Sequence, residues 1–236
     1  MTLIKLPTVA LIPVVLVFTS GCASTVTAPD TICGANRSAS TAPITHDPIL
    51  FVHGYGGNGG NFCAMIDRFR ADGWTDRELY AYNYSFIASY AADAEEIRAQ
   101  VDQILGTTGA TKVDIIAHSA GSVSSRYYLK NLGGAAKVDA WVSLGGPNHG
   151  TATAFNCSFT PCVEIQPGSA FLAALNTGDE TPGSTRYGTW WSPCDETSLP
   201  ASVLLVGATN HQTACIGHQD FLDNLTVYQQ VRDWIR

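Results

Sequence analysis

The sequence predicts an α/β fold with a mostly parallel central sheet flanked by helices, and three observations carry that expectation. Apolar runs of strand length alternate with helix-compatible stretches from residue 48 onward, a pattern that implies right-handed strand–helix–strand units. The composition, 45% hydrophobic and 14% charged over 236 residues, is that of one compact domain with a sizeable core. The apolar run Val113-Asp114-Ile115-Ile116 closes in Ala117-His118-Ser119-Ala120-Gly121, where small residues let a strand turn sharply into a helix.

Taken in order, the periodicity predicts a strand over 48–53, a helix near 61–72, a strand over 78–82 and a helix over 88–105. A strand over 112–117, a helix over 122–132 and a strand over 138–144 follow. Residues 147–179 read as irregular; beyond them come strands at 186–191 and 203–206 and a last helix from about Phe221. There are no internal repeats. Parallel sheets hold ligands beyond the carboxyl ends of their strands, so chemistry is expected just after strands.

The termini and cysteines point to export. Leu3 to Phe18 is apolar with one positive charge, Lys5, and Thr19-Ser20-Gly21-Cys22 follows, so residues 1–22 read as an export signal. Cys22 after a small residue is a candidate lipid-bearing N-terminus, which would attach the chain to a membrane at the bacterial cell envelope; cleavage nearby with free secretion is the alternative. A membrane span is disfavoured because the run is shorter than about 20 residues and holds Pro7 and Pro13. Residues 23–46, rich in Ser, Thr, Ala and Pro, read as a flexible tether, leaving 47–236 as the folded domain. Setting Cys22 aside leaves six cysteines, an even number suited to disulfides in an exported chain. Their spacing favours Cys33 with Cys63, Cys157 with Cys162 and Cys194 with Cys215. A zinc site is disfavoured because no C-x-x-C pair is present. The net charge of −7 without any basic stripe argues against a nucleic-acid partner, and a monomer is expected.

Ser119 sits where a nucleophilic serine belongs. A serine hydroxyl is a poor nucleophile at neutral pH and needs a histidine base and an orienting carboxylate. Of the six histidines, His118 neighbours Ser119 but must point away from it and is assigned to packing. His53 comes too early in the chain and His46 lies in the tether. His149 and His211 lie in loops and stay open, while His218, after the last strand and before the last helix, fits best. Among the carboxylates between serine and histidine, Asp139 begins its strand and faces the wrong sheet edge. Asp195 is the first choice, with Asp179 and Glu196 behind it; Glu164 and Glu180 are read as solvated loop groups. A Cys194–Cys215 bond would draw the acid and base loops together. The backbone amides of Ala120 and Tyr55 are the candidate donors to a developing oxyanion. The glycines around Tyr55 do not read as a phosphate loop, since no Gly-Lys-Ser/Thr follows.

The segments Pro48-Ile49-Leu50-Phe51-Val52-His53-Gly54, Val113 to Gly121, Ser143-Leu144-Gly145-Gly146-Pro147-Asn148-His149-Gly150-Thr151 and Gly217-His218 together resemble the class 2 lipase family. These are small secreted bacterial triacylglycerol lipases and esterases, including lidless Bacillus lipases and actinobacterial relatives. The resemblance spans roughly residues 47–236 and extends to Ala117, an alanine that those Bacillus lipases share. It implies a minimal α/β-hydrolase fold with Ser119 as nucleophile, Asp195 as acid, His218 as base, and the Tyr55 and Ala120 amides as oxyanion donors.

A lipid or ester small molecule is then the expected substrate, with Tyr55, Phe62, Tyr84, Phe86, Trp190 and Trp191 as candidate cleft residues. The short connections leave little room for a large lid, so an open site is expected. Polyester depolymerisation by the same machinery is the alternative. A non-catalytic surface lipoprotein that binds apolar ligands is a reading of another class, disfavoured because serine, acid and base are all present. No cofactor and no catalytic metal is called for; a structural ion is left open only near Asp179.

Overall fold

The computed structural model describes residues 32–35 and 43–236. The expected export signal, Cys22 and most of the expected tether lie outside the described residues.

Six strands form one sheet: β1 (Ile49–Val52), β2 (Leu79–Ala81), β3 (Val113–His118), β4 (Val138–Leu144), β5 (Arg186–Trp191) and β6 (Thr209–Gln212). Their order is β2-β1-β3-β4-β5-β6 and every neighbouring pair is parallel. The helices α1 (Cys63–Ala71), α2 (Tyr90–Thr108), α3 (Gly121–Asn131), α4 (Thr160–Glu164), α5 (Ala170–Asn176), α6 (Pro200–Val203) and α7 (Leu225–Ile235) connect and cover it.

Side chains alternate across a strand, and that alternation divides the core. Ile49, Phe51, Ile116, Val142 and Leu144 face one layer with residues of α1 and α7. Leu50, Val52, Ile115, Ala117 and Trp141 face the other with residues of α2 and α3. Both faces are covered, which is why β1 is apolar without interruption and buried at all four positions. Helix α2 starts where the Ser89 hydroxyl accepts from Ala92 N at 3.2 Å and stops at Gly109, left-handed at φ 76°, a conformation that suits glycine. The last helix starts later than expected, after a 3-10 turn at Asp220–Leu222, where the Asn224 side chain caps the Thr226 and Val227 amides.

Two expectations are corrected. Residues 203–206 are not a strand: Pro200 opens the short helix α6, which ends at Val203, and Val203 and Leu205 are buried while Val206 is 80% exposed. The outermost strand is instead Thr209–Gln212, largely exposed. As a sheet edge it buries little and carries no apolar signal. The region 147–179 is not wholly irregular, since it holds a 3-10 turn at Ala152–Asn156 together with α4 and α5, all too short to show helical periodicity.

All three disulfides pair as the spacing favours: Cys33–Cys63, Cys157–Cys162 and Cys194–Cys215. The described parts of the expected tether are fastened to the domain. Cys33 is bonded to the first residue of α1, and His46 stacks on Trp74 with ring centroids 3.9 Å apart. The fully buried Glu78 carboxylate accepts from Thr75 N at 2.6 Å, His46 N at 2.8 Å and Thr45 N. Burial alone would raise its pKa, but those amides outweigh burial and hold it below the usual range.

Candidate active site

The turn between β3 and α3 places Ser119 at φ 53°, a left-handed conformation that costs a non-glycine residue energy and persists where surrounding contacts over-determine it. Those contacts come from both sides. Ser119 N donates to Leu144 O at 2.9 Å. A Cβ on Gly54 would stand 2.7 Å from Ser119 Cβ, and one on Gly121 would stand 2.4 Å from His53 O and 2.6 Å from Val52 O. Glycine at 121 therefore lets α3 approach the end of β1, and glycine at 54 lets the following loop pass against the serine.

Ser119, His218 and Asp195 come together from the ends of β3, β6 and β5. The Ser119 hydroxyl is 2.8 Å from His218 Nε2, and His218 Nδ1 is 3.0 Å from each Asp195 carboxylate oxygen. Asp195 Oδ1 also accepts from Thr197 N and Ser198 N at 2.8 Å. Burial alone would raise the Asp195 pKa, but the His218 hydrogen bond and these two amides prevail and hold the carboxylate below its ordinary value. An ionised acceptor at Nδ1 requires a proton there, which leaves Nε2 free to accept from the serine.

Four residues that sequence reasoning missed or assigned elsewhere hold this chain of bonds. His118 is buried, and its Nε2–H donates to His218 O at 2.9 Å. Burial, then the proximity of His218, pushes its pKa down to about 3, so it holds the His218 carbonyl as a neutral donor. Ser192 Oγ donates to Ile216 O at 2.6 Å and accepts from Cys194 N at 3.1 Å and Ile216 N at 3.0 Å, lacing the Asp195 loop to the His218 loop beside the Cys194–Cys215 bond. Glu196, considered as an acid, instead accepts from His218 N at 3.2 Å. Gly145, at φ 58°, lies beneath the pair: a Cβ there would be 2.9 Å from Asp195 Oδ2 and 3.3 Å from His218 Nδ1. Gly145 stood within a segment already singled out, whereas the His118–His218 contact spans 100 residues and has no local signature.

The loop after β1 forms the opposite wall. A cavity of 130 Å³ is lined by Gly54, Tyr55, Gly56, Gly57, Asn61, His118, Ser119 and Gln219. The N–H groups of Tyr55 and Ala120 donate to no backbone carbonyl among the described residues. The loop is shaped by its asparagines: Asn58 N donates to Asn61 Oδ1 at 2.7 Å, Gly60 N to Asn58 Oδ1 at 2.9 Å and Gly59 N to Asn83 Oδ1 at 2.8 Å. His53 donates from Nδ1 to Gly54 O at 2.9 Å and stacks on Tyr84, whose hydroxyl donates to His53 O.

The other candidates fall elsewhere. His149 bonds Glu180 at 2.9 Å and His211, on β6 rather than in a loop, stacks on Trp190. Asp179 accepts from Thr181 N, and Asp139 pairs with Lys112 and Arg186. Glu164 and Glu180 are not solvated loop groups. Glu164 accepts from Tyr90 N at 2.8 Å, and Glu180, 8% exposed, also accepts from Val206 N; each side chain ties two segments together. Phe62 and Trp190 are fully buried in the core and line no cleft. Among the described residues, the cluster of three acidic ligand atoms lies at Asp47, Asp114 and Asp139, at the strand-entry edge away from the serine rather than near Asp179.

An all-parallel sheet with a serine on a strained strand-to-helix turn, and an acid and a histidine delivered by later strands, defines an α/β-hydrolase. The model of the family Lipase (class 2) matches residues 46–233, and the chain belongs to that family. Triacylglycerol lipases of Burkholderia plantarii and Pseudarthrobacter phenanthrenivorans are each 34% identical over 97 and 96 residues, 38% of this chain. The matched segment spans only 27% and 30% of those relatives' own lengths. Among solved structures, a mature Bacillus licheniformis lipase superposes with a TM-score of 0.71 at 18% identity, covering 83% of this chain and 96% of that one. Aspergillus fumigatus lipase B superposes with a TM-score of 0.68 at 16% identity, over 78% of this chain and 51% of that one. These two likenesses are of fold.

Proposed function

We propose that the protein hydrolyses carboxylic esters through an acyl-enzyme, with Ser119 as nucleophile, His218 as general base and acid, and Asp195 as the group that orients and stabilises the imidazolium. The single observation that carries this reading is the continuous hydrogen-bond chain from Ser119 Oγ through both His218 nitrogens to Asp195. As Ser119 Oγ bonds to the ester carbonyl carbon, its proton passes to His218 Nε2 and the carbonyl oxygen takes up the negative charge. The amides of Tyr55 and Ala120 are the donors assigned to that oxygen; removing one such donor typically costs about 3 kcal/mol of transition-state stabilisation. Collapse breaks the bond to the alcohol oxygen, which takes the proton from His218. Water then gives a proton to His218 while its oxygen attacks the acyl carbon, and the serine recovers its proton as the acid leaves.

Membership in the class 2 lipase family and the names of the triacylglycerol lipases that match part of the chain support acylglycerols or related esters as substrates. Three disulfides suit maturation in an oxidising compartment, in keeping with secretion or attachment at the cell envelope through Cys22. The test is turnover of p-nitrophenyl butyrate and tributyrin by the purified protein. Wild type is expected to hydrolyse both, and Ser119→Ala to lose activity by orders of magnitude at unchanged melting temperature. Activity surviving in Ser119→Ala would overturn the assignment.

A further inference from the structure

The oxyanion donor assigned to Tyr55 depends on one carbonyl. In a trans peptide, as here, the C=O and the N–H that follows it point in opposite directions, so the direction of Gly54 O sets that of the Tyr55 N–H. Gly54 lacks the Cβ that would restrict rotation of this peptide, and other contacts must hold it. Gly57 N donates to Gly54 O at 3.1 Å, and His53 Nδ1 donates to the same oxygen at 2.9 Å. The second bond exists in only one neutral tautomer of His53.

That tautomer is set from outside the loop. Tyr84, in the connection between β2 and α2, donates from its backbone N to His53 Nε2 at 3.4 Å, which makes Nε2 the acceptor and leaves the ring proton on Nδ1. The Tyr84 ring stacks on the imidazole with centroids 3.9 Å and planes 19° apart, and its hydroxyl donates to His53 O. His53 is 1% exposed, and burial holds its pKa below the ordinary value, so the ring stays neutral. The adjacent Asn83 Oδ1 accepts from Gly59 N at 2.8 Å. One short segment thus holds the loop after β1 at two points.

We propose that Tyr84 is a positioning residue for ester hydrolysis: acting through His53, it fixes the Gly54–Tyr55 peptide with its N–H presented to the oxygen that gains charge. The proposal rests on the ester-hydrolase reading and adds the group that prepares one oxyanion donor before substrate arrives. A donor fixed in advance spends nothing on reorientation as the charge develops.

The test compares Tyr84→Phe, which removes the hydroxyl, with His53→Leu, which removes the Nδ1 donor, and His53→Asn, which returns an N–H near its place. kcat and KM on p-nitrophenyl butyrate are measured beside Ki for an alkyl trifluoromethyl ketone. Its carbonyl carbon bonds to Ser119 Oγ while the serine proton passes to His218, leaving a tetrahedral oxyanion. kcat should fall about tenfold in Tyr84→Phe and about a hundredfold in His53→Leu, the scale of a lost oxyanion donor, with KM little changed. His53→Asn should recover most of the loss. Ki for the ketone should rise by the factor by which kcat/KM falls, because both read binding of the oxyanion. If His53→Leu does not fold, Tyr84→Phe carries the test. Unchanged kcat in folded Tyr84→Phe, or a loss of kcat with ketone affinity unchanged, would overturn the proposal. A wild type that neither turns over the ester nor binds the ketone would instead refute the catalytic reading.

Discussion

Replacing Asp93 with Asn should stabilise the protein at alkaline pH and weaken it slightly at acid pH. Asp93 lies in the first turn of α2, is 1% exposed, and its Oδ1 has no hydrogen-bond partner among the described residues. Burial first, then the charges of Glu96 and Glu164, push its pKa up to about 7 from 3.8. The charge at a helix start is worth only about 0.3–1 kcal/mol in favour of ionisation, so burial prevails. The folded chain therefore holds a proton that the unfolded chain releases between these two values, and stability falls as pH rises through that window. At about 1.4 kcal/mol per unit, some three units give a ceiling of about 4 kcal/mol once the pH is well above 7. An asparagine amide left unpaired costs about 1–2 kcal/mol at every pH, so a gain of about 2–3 kcal/mol is expected at pH 8.5 and a loss of about 1–2 kcal/mol at pH 4. Urea unfolding followed by tryptophan fluorescence, disulfides intact, measures both. Parallel stability curves for wild type and Asp93→Asn from pH 4 to 8.5 would refute the reasoning.

Three further outcomes are expected. Gly145→Ala places a methyl group 2.9 Å from Asp195 Oδ2 in a left-handed conformation; a displacement of even 1 Å at the acid–base pair should lower kcat about a hundredfold with KM little changed, and steady-state kinetics decides it. Gly121→Ala forces a Cβ to within 2.4 Å of His53 O, against backbone that cannot give, so it should destabilise the protein by about 3 kcal/mol in the same urea assay. Replacing both Cys194 and Cys215 with Ser opens a loop with a sequence separation of 21; a loss of about 3 kcal/mol is expected, with kcat falling as the acid and base loops loosen, and unchanged kinetics would show that Ser192 suffices to join them.

Much of this arrangement was legible in the sequence because it is encoded locally. The apolar runs of β1, β3 and β4 announce strands of a parallel sheet, and Ala117-His118-Ser119-Ala120-Gly121 announces the turn at Ser119. The position of a residue after its strand then selected Asp195 and His218, which the structure brings into one chain of bonds. What escaped was encoded by neighbours distant in sequence. The edge strand Thr209–Gln212 is polar because it buries little, while the more apolar run 203–206 packs two residues inward without joining the sheet. The supporting role of His118 depends on a carbonyl 100 residues away. Glu164 and Glu180 read as loop carboxylates because their partners, the Tyr90 and Val206 amides, lie in other segments.

Covalent labelling of the serine tests the central claim most directly. Exposure to an alkyl fluorophosphonate followed by peptide mass mapping is expected to place one adduct on Ser119 in wild type, with labelling slowed by orders of magnitude in His218→Ala at unchanged fold. An adduct on another residue, or labelling of Ser119 that proceeds equally fast without the imidazole, would contradict activation of this hydroxyl by His218 and Asp195.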